Sequence, residues 1–587
     1  MRTSVKLLTI FFILISNIAF SQIGKEKKGD KYYDSFSYKE SINKYEAITD
    51  KTDTIKRKLA ESYYNIGKYE KSELYYAELA NSETRIAEDL YNYASVLAVN
   101  EKYELSTEWM KKFSDLDKND SRAKKYLENP KFYTDLLQDK GQFLVKNLDI
   151  NSNQEDFGAI FYKDKVIFAS SRELFRFTRR RWNWNKLPFL DLYIADRDST
   201  YELKNPLGFR ASVNKKYHEG PASFNEDGDF MAYTKNNYKE KSKDDAVKLE
   251  IYTSEFKNGK WEDGTSVHFN NKEYSVGHAA LSPNGEVMYF ASDMPGGKGG
   301  VDLYIAYRNE NKTWGKPINL GDTINTEGNE MFPYYNDAGF LFFASNGHPG
   351  LGGLDVFTVN IIDYKVVSEP INLGTPLNTN YDDFALVMDT TQTAGYFSSN
   401  RPGGKGDDDI YRFNLLKPFE FKKIILVNVF DNKGNILANT EIKLYDDDKN
   451  VIETVKTNDN GKYKFTIEKD MVYLLKGKKD GYSKDQKKAD ATTNDKSYTV
   501  DLILKKTDFS IVCIATDAET KDTIPGVNVV LINKNMDLIE SVRTDENGVY
   551  SKDLQDIELG DTLNYYANFE KDGYLPKKID YRICELN

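Results

Sequence analysis

Four histidines and two cysteines are the side chains of this 587-residue chain best suited to metal binding or nucleophilic chemistry. His218, His268, His278 and His348 are scattered, and no two have the spacing that places a pair of imidazoles on one ion. Cys513 sits in the apolar run Ile511-Val512-Cys513-Ile514, where a thiol behaves as a small hydrophobe. Cys584 is its one available partner, and a single pair makes no disulfide framework. No Gly-x-Ser-x-Gly elbow occurs, and no phosphate loop ending in Lys-Ser/Thr. The glycine-rich stretches lead into no helix and read as turns, not anion cradles. The chain is expected not to be an enzyme and to carry no cofactor or catalytic metal.

Acids are the next candidates. Asp407-Asp408-Asp409 and Asp446-Asp447-Asp448 could ligate a structural calcium, but neither follows an EF-hand spacing, and solvated turns are the plainer reading. Glu155, Glu219 and Glu330 each lie 15 residues before a recurring Ser or Thr, with Asp383 at 16 and Gly277 breaking the rule in the third repeat. Such acids could ring the mouth of a central channel and focus a negative field on a basic partner. Alternatively each carboxylate bonds a neighbouring turn. Arg179-Arg180-Arg181-Trp182-Asn183-Trp184 is a basic, aromatic insertion whose Arg and Trp are the residue types that anchor protein interfaces, so it is a candidate partner-binding loop.

The elements that must position these residues change along the chain. Residues 30–129 show apolar spacing near 3.6 and repeat themselves: Tyr38-x-x-Ser41, Tyr69-x-x-Ser72 and Tyr103-x-x-Ser106 recur at 31 and 34 residues, the period of tetratricopeptide hairpins. Short strands then take over. Five apolar strands end in Ser170, Thr234, Ser292, Ser345 and Ser399, each followed by an acid and two apolar residues beginning at Asp191, Glu250, Asp302, Asp355 and Asp409. A repeat of about 40 to 50 residues holding several strands predicts propeller blades, five or six in number, with Gly141 to Ile150 an alternative source of a closing strand. In the last three repeats the turn between markers is rich in glycine, and the following Asp is placed to cap it through backbone N–H groups. After Pro418 two copies of a small unit follow, marked by Thr457-Asn-Asp-Asn-Gly461 with Lys479-Asp-Gly-Tyr482, and by Thr544-Asp-Glu-Asn-Gly548 with Lys571-Asp-Gly-Tyr574; these predict β-sandwiches.

Arg2 and Lys6 precede the apolar run Leu7 to Ile18 and the small-x-small triplet Ala19-Phe20-Ser21, the pattern of a secretory leader. The formal charge is −11, or −13 once Arg2 and Lys6 leave with the leader, which disfavours nucleic acid and anionic lipid as partners. The expected organisation is a signal peptide (1–21), tetratricopeptide-like helical repeats (22–130), an all-β propeller (131–418) and two β-sandwiches (419–506 and 507–587).

The strand-Ser, Pro-Gly-Gly-x-Gly and Asp-Leu-Tyr pattern, with Pro295, Gly296, Gly297 and Asp302 as one instance, resembles the WD-like repeats of the Tol-system translocation protein. The Thr-Asp-x-Asn-Gly-x-Tyr units resemble carboxypeptidase regulatory-like domains. The order of helical repeats, strand repeats and regulatory-like units behind a leader is similar to multi-domain envelope proteins of Bacteroidetes, including the peptidoglycan-anchoring component of the type IX secretion and gliding machinery. That resemblance implies a non-enzymatic periplasmic scaffold or adaptor, associated with the outer membrane and with envelope proteins as partners. Those relatives usually end in an outer-membrane protein A-like domain, and many carry a lipid-attachment cysteine. Neither is seen up to Asn587, so contact with peptidoglycan is expected only through a partner or a missing C-terminal domain. The alternatives are a peptide- or glycan-binding protein, or a wall anchor acting with a peptidoglycan-binding partner.

Overall fold

The recurring serines show why the helices pair as they do. The computed structural model describes residues 22–172, 181–182, 184, 187–209, 213–214, 218–237, 239–243, 246–419, 423–467, 470–493, 497–506, 510–533, 535, 537–553 and 563–583. The leader, Arg179, Arg180 and Cys584 lie outside them. Helices α1 (22–34), α2 (Tyr38–Glu46), α3 (Asp53–Asn65), α4 (Tyr69–Ala80), α5 (Ala87–Val99), α6 (Tyr103–Leu116), α7 (Ser121–Glu128) and α8 (Phe132–Leu137) follow in order. Ser41, Ser72 and Ser106 are fully buried, and each hydroxyl donates to a carbonyl 12 residues earlier on the preceding helix, Gly29 (3.2 Å), Ala60 (2.8 Å) and Ala94 (2.7 Å). A buried hydroxyl needs such a partner, and a small residue at the acceptor lets the helices close to that distance. At Gly29 a Cβ would overlap the Tyr45 ring, so the first pair admits no larger residue.

Contact between elements divides the chain into two compact units, 1–420 and 421–587. In the first, the strand repeats form five antiparallel sheets. Their first strands are Asp156–Tyr162, Glu219–Phe224, Val276–Leu281, Glu330–Tyr335 and Asp383–Met388. The strand Phe143–Asn147 pairs with Asp409–Leu415, the third strand of the fifth sheet. Each first strand is interrupted by a register shift, and His278, Phe332 and Ala385 at these bulges have φ of 52°, 51° and 52°. The bulges put aromatic rings into the space the first strands share. His278 stacks on Phe332 at 3.8 Å, and Phe332 meets Phe384 at 4.7 Å. A void of about 40 Å³ is left there.

In the second unit Lys423–Asp431 lies between Lys462–Ile467 and Ser497–Leu504, facing a four-stranded sheet built on Glu441–Tyr445 and Val472–Lys478. Ile425, Val427, Phe465, Leu475 and Leu502 form its core. The second copy repeats the bonds. Thr457 Oγ1 accepts from Thr440 N (2.9 Å) as Thr544 Oγ1 does from Val527 N (3.0 Å), and Asn458 and Asp545 bridge their turns in the same way. Lys479 and Lys571 both donate to a carbonyl of the strand connection, at Ala438 and Pro525.

These features correct the expected fold class of an all-α domain, then an all-β propeller of five or six blades, then two sandwiches. The helices are confined to the N-terminal region and share one unit with the sheets, so there is no separate all-α domain among the described residues. The five sheets stack face to face in sandwich fashion through shared apolar layers, such as Phe230, Met288 and Tyr304 between the second and third, and the centre is filled, not an open channel. The markers misled because a Ser-to-Asp interval reports the hairpin inside one sheet, and that hairpin is the same however whole sheets are arranged. The coarser expectation stands: a helical N-terminal region is followed by β-rich structure. Among the described residues no helix is long and apolar enough to cross a membrane.

Candidate binding groove

Of the three glycine-rich turns, that of the fourth sheet has one residue fewer between Pro and Asp and an apolar residue where the other two have lysine, and that exchange places the site. Asp302, Asp355 and Asp409 each accept backbone N–H groups from the turn before them. Asp302 takes Lys298 N (2.6 Å) and Gly299 N (3.0 Å) on its two oxygens, with Asn319 Nδ2 at 2.8 Å. Asp409 takes Lys405 N, Gly406 N (3.0 Å) and Asn147 Nδ2 (3.0 Å). The residue at the place of Lys298 and Lys405 is Leu351 in the fourth sheet, and it is buried against α5 to α8 among Ala94, Ala98, Phe113 and Phe132. An apolar side chain there gives the helices something to cover.

Polar bonds fix the two layers together. Tyr91 Oη donates to Asn346 O (2.6 Å) and Asn380 Nδ2 to Val99 O (2.6 Å), while Thr375 N reaches Leu136 O (3.0 Å). Glu327 accepts from Ser121 N (3.1 Å) at the start of α7, where a carboxylate satisfies an N–H with no intrahelical partner. Gly352 has φ +141°, and a Cβ there would lie 2.8 Å from Asn380 O and 3.1 Å from Val99 N.

Between the helices and these turns lies a cavity of about 440 Å³, within the size range of ligand sites. Helices α3 to α8 supply Tyr64, Asn92, Ser95, Tyr91, Arg122 and Tyr133, and the sheets supply Asn329, Asn346, His348, Gly352 and Asp355. Arg122 is 5% exposed and forms ion pairs with Asp120 and Glu88, each at 2.7 Å, its guanidinium stacked 3.9 Å from the Tyr91 ring centroid. Burial opposes its charge, but the bonds to Asp120 and Glu88 outweigh burial and hold its pKa above the usual value. Asp355 is 1% exposed. Its Oδ2 accepts from Leu351 N (2.9 Å), whereas Oδ1 is buried with no hydrogen-bond partner among the described residues. Burial, and then the charge of Asp383, push its pKa well above the carboxylate range. His348 is buried, donates Nε2–H to Ile324 O (2.7 Å), and is lowered to about 3 by burial.

The acids singled out by spacing lie elsewhere. Glu155 is 6% exposed and Glu219, Glu330 and Asp383 are 0% exposed, so they present no charge at a mouth. Glu330 accepts from Thr326 N (2.9 Å), Thr326 Oγ1 (2.7 Å) and Ser345 Oγ (2.7 Å). Asp383 accepts from Thr379 N (2.6 Å) and pairs with Arg401 (2.5 Å). In the first sheet the corresponding residue is Asp156, opposite Ser170 and paired with Arg172 (2.5 Å), not Glu155. Hairpins of unequal length shift the register, so equal spacing does not mark equal places. Glu330 has no arginine at this place among the described residues, and burial raises it to about 7.

Of the basic aromatic loop, Arg181 is exposed. Trp184 turns inward, stacked on Phe36 (6.0 Å), edge-on to Tyr38 (4.8 Å) and donating Nε1–H to Asn65 O (2.9 Å). Trp182 packs against His218 (4.7 Å). Trp184 ties the Phe36 turn, α2 and α3 to the loop between the second and third strands of the first sheet. Asp407 to Asp409 belong to the fifth turn, and Asp446 accepts from Asn450 N (2.7 Å) in a strand connection. No group of three or more His, Cys, Asp or Glu among the described residues is arranged to hold a metal ion.

No family model matches the sequence, and no curated protein matches it. Solved structures resemble it weakly. The shaft pilin SpaA from Lactobacillus rhamnosus GG is 14% identical over 27% of this chain and 93% of its own, with a TM-score of 0.20. The Streptococcal ancillary pilin is 13% identical over 39% and 77%, with a TM-score of 0.20. The alpha-L-arabinofuranosidase from Lactobacillus brevis is 12% identical over 50% and 94%, with a TM-score of 0.29. Scores this low assign neither fold nor function.

Proposed function

We propose that the chain is a non-enzymatic scaffold of a bacterial cell envelope, and that the groove of its first unit holds an extended segment of a partner protein. The observation that carries this reading is the lining of the 440 Å³ cavity, in which side-chain amides (Asn65, Asn92, Asn329, Asn346) alternate with tyrosines (Tyr64, Tyr91) drawn from two layers. Amides pair with a peptide backbone, and tyrosines cover its side chains at low entropic cost. The leader pattern at 1–21 and the resemblance to multi-domain envelope proteins favour the periplasm, with an adaptor role at an outer-membrane or type IX secretion and gliding assembly. The test is affinity purification of the tagged protein from crosslinked cells, followed by mass spectrometry, with the wild type beside Ser95→Arg, which fills the groove from α5. Outer-membrane secretion or gliding components captured by the wild type and lost from S95R support the reading. Recovery of the protein alone, or of the same partners with both chains, overturns it.

A further inference from the structure

The two copies within 421–587 differ at one sheet edge. In the first, Lys423–Asp431 has a neighbour on each side: Lys462–Ile467 runs antiparallel to it and Ser497–Leu504 runs parallel. Ser497–Leu504 turns Val500, Leu502 and Leu504 into the core and leaves Thr499, Asp501 and Ile503 outside. In the second copy Tyr550 stands opposite Cys513 as Tyr463 stands opposite Val427, so Ser510–Ile514 is the counterpart of Lys423–Asp431. Val549–Asp553 pairs with it on one side, and among the described residues no strand lies on the other. Ala515 N donates to Gly548 O (2.8 Å) on the paired side, and because successive peptide groups of a strand alternate in direction, those of Val512 and Ile514 face the open side.

This edge is also unguarded. Charged side chains blunt exposed edges against further pairing, and every other edge strand of these sheets carries at least one, such as Lys488, Asp501 and Lys578. Ser510–Ile514 carries none, and its Val512 and Ile514 are 56% and 60% exposed.

We infer that Ser510–Ile514 accepts an extended segment of a partner protein as a further strand, laid parallel to it as Ser497–Leu504 is laid in the first copy, with apolar side chains at alternate positions. A second copy of this chain meeting the same edge about a twofold axis would run antiparallel, so a different polypeptide is the occupant that matches the pattern. Phe569 stands where the first copy has Gly477, at which a Cβ would lie 3.0 Å from Leu502 Cδ1. The segment that fits therefore has a small residue where Ser497–Leu504 has Leu502. This edge belongs to the second unit, and its occupancy is independent of the groove proposed above.

The experiment is fluorescence anisotropy of the fluorescein-labelled peptide Lys-Ser-Tyr-Thr-Val-Asp-Ala-Ile-NH2, which is residues 496–503 with Leu502→Ala, titrated with the full chain. The expected result is saturable binding, at least tenfold weaker binding of the peptide with proline in place of Val500, and at least a tenfold loss of affinity in the Val512→Pro chain. That variant removes an N–H on the open side and keeps the pairing with Val549–Asp553, the one setting in which an edge strand tolerates proline. No saturation at hundreds of micromolar chain overturns the inference. Equal affinity for the two peptides overturns it without any variant having to fold, and so does a Val512→Pro chain that is folded by circular dichroism and binds as the wild type does. A wild-type dimer in sedimentation that is lost in Val512→Pro, with no peptide bound, overturns it as well and makes a second copy the occupant.

Discussion

At the scale of single residues, burial decides the charge state of the groups that looked chemically useful. His218 lies edge-on to Trp182 and Phe189, accepts from Leu190 N through Nδ1, and is lowered by burial to about 3, as His348 is. Between that value and the ordinary one near 6.5 the unfolded chain binds more protons than the folded one, so stability is full above pH 6.5 and falls as the pH drops toward 3. At pH 5 the cost is about 2 kcal/mol for each histidine. Glu330, raised to about 7, acts in the opposite sense and costs stability as the pH rises from 4.5 to 7. Urea midpoints at pH 7 and pH 5 measure the balance. His218→Phe is expected to lose about 1 kcal/mol at pH 7 with the Leu190 bond, and to remove about 2 kcal/mol from the acid-side decline. An unchanged decline would show that His218 is protonated in the fold. The histidines and acids were visible in the sequence as scattered groups. What was not visible is that Asp355, alone of the three turn-capping aspartates, keeps an oxygen with no hydrogen bond among the described residues, because Gly352 N turns to Oδ2 (3.4 Å) where Gly299 N and Gly406 N take Oδ1.

At the scale of elements, the local rules were legible and the joints between elements less so. The Tyr-x-x-Ser repeat is readable because each serine has the same task, bonding a carbonyl 12 residues back, and the Thr-x-x-Asn-Gly units repeat because each threonine caps the same strand connection. The glycine turns are different, since three similar stretches serve two purposes. Gly299, Gly352 and Gly406 hold the same place and all three are crowded, but a Cβ at Gly299 or Gly406 would meet backbone of a neighbouring sheet's connection, whereas at Gly352 it would also meet Val99 on α5; Gly296, nearer the tip and with φ near +90°, has open space for 4 Å. Gly352→Ala is therefore expected to cost at least about 2 kcal/mol more than Gly296→Ala, which bears the backbone penalty alone. Paired urea denaturation of the two variants checks this, and limited proteolysis of the first should cut between α5 and α6 at lower protease. Equal costs would mean that α5 is not held by this turn. Leu351 was the available clue, as an apolar residue at a tip where its siblings have lysine, but nothing in the spacing says what covers it.

At the scale of the whole molecule, two compact units predict two unfolding events. The second unit has its own core around Phe465 and Leu502, so calorimetry of the full chain should show two transitions, and Leu351→Ala should lower only the one belonging to 1–420, by roughly 2 to 4 kcal/mol. A single cooperative transition shifted as a whole would contradict this division. The arrangement of the five sheets could not be read from their repeats, since pairing within a hairpin carries no information about which face meets which sheet. The pairing of Phe143–Asn147 with Asp409–Leu415 carries a consequence for the order of events in the cell. Asn147 is made 262 residues before Asp409, so at bacterial elongation rates its strand waits roughly 15 to 50 s for its partner. For that interval it is an unpaired edge, open to pairing with another chain.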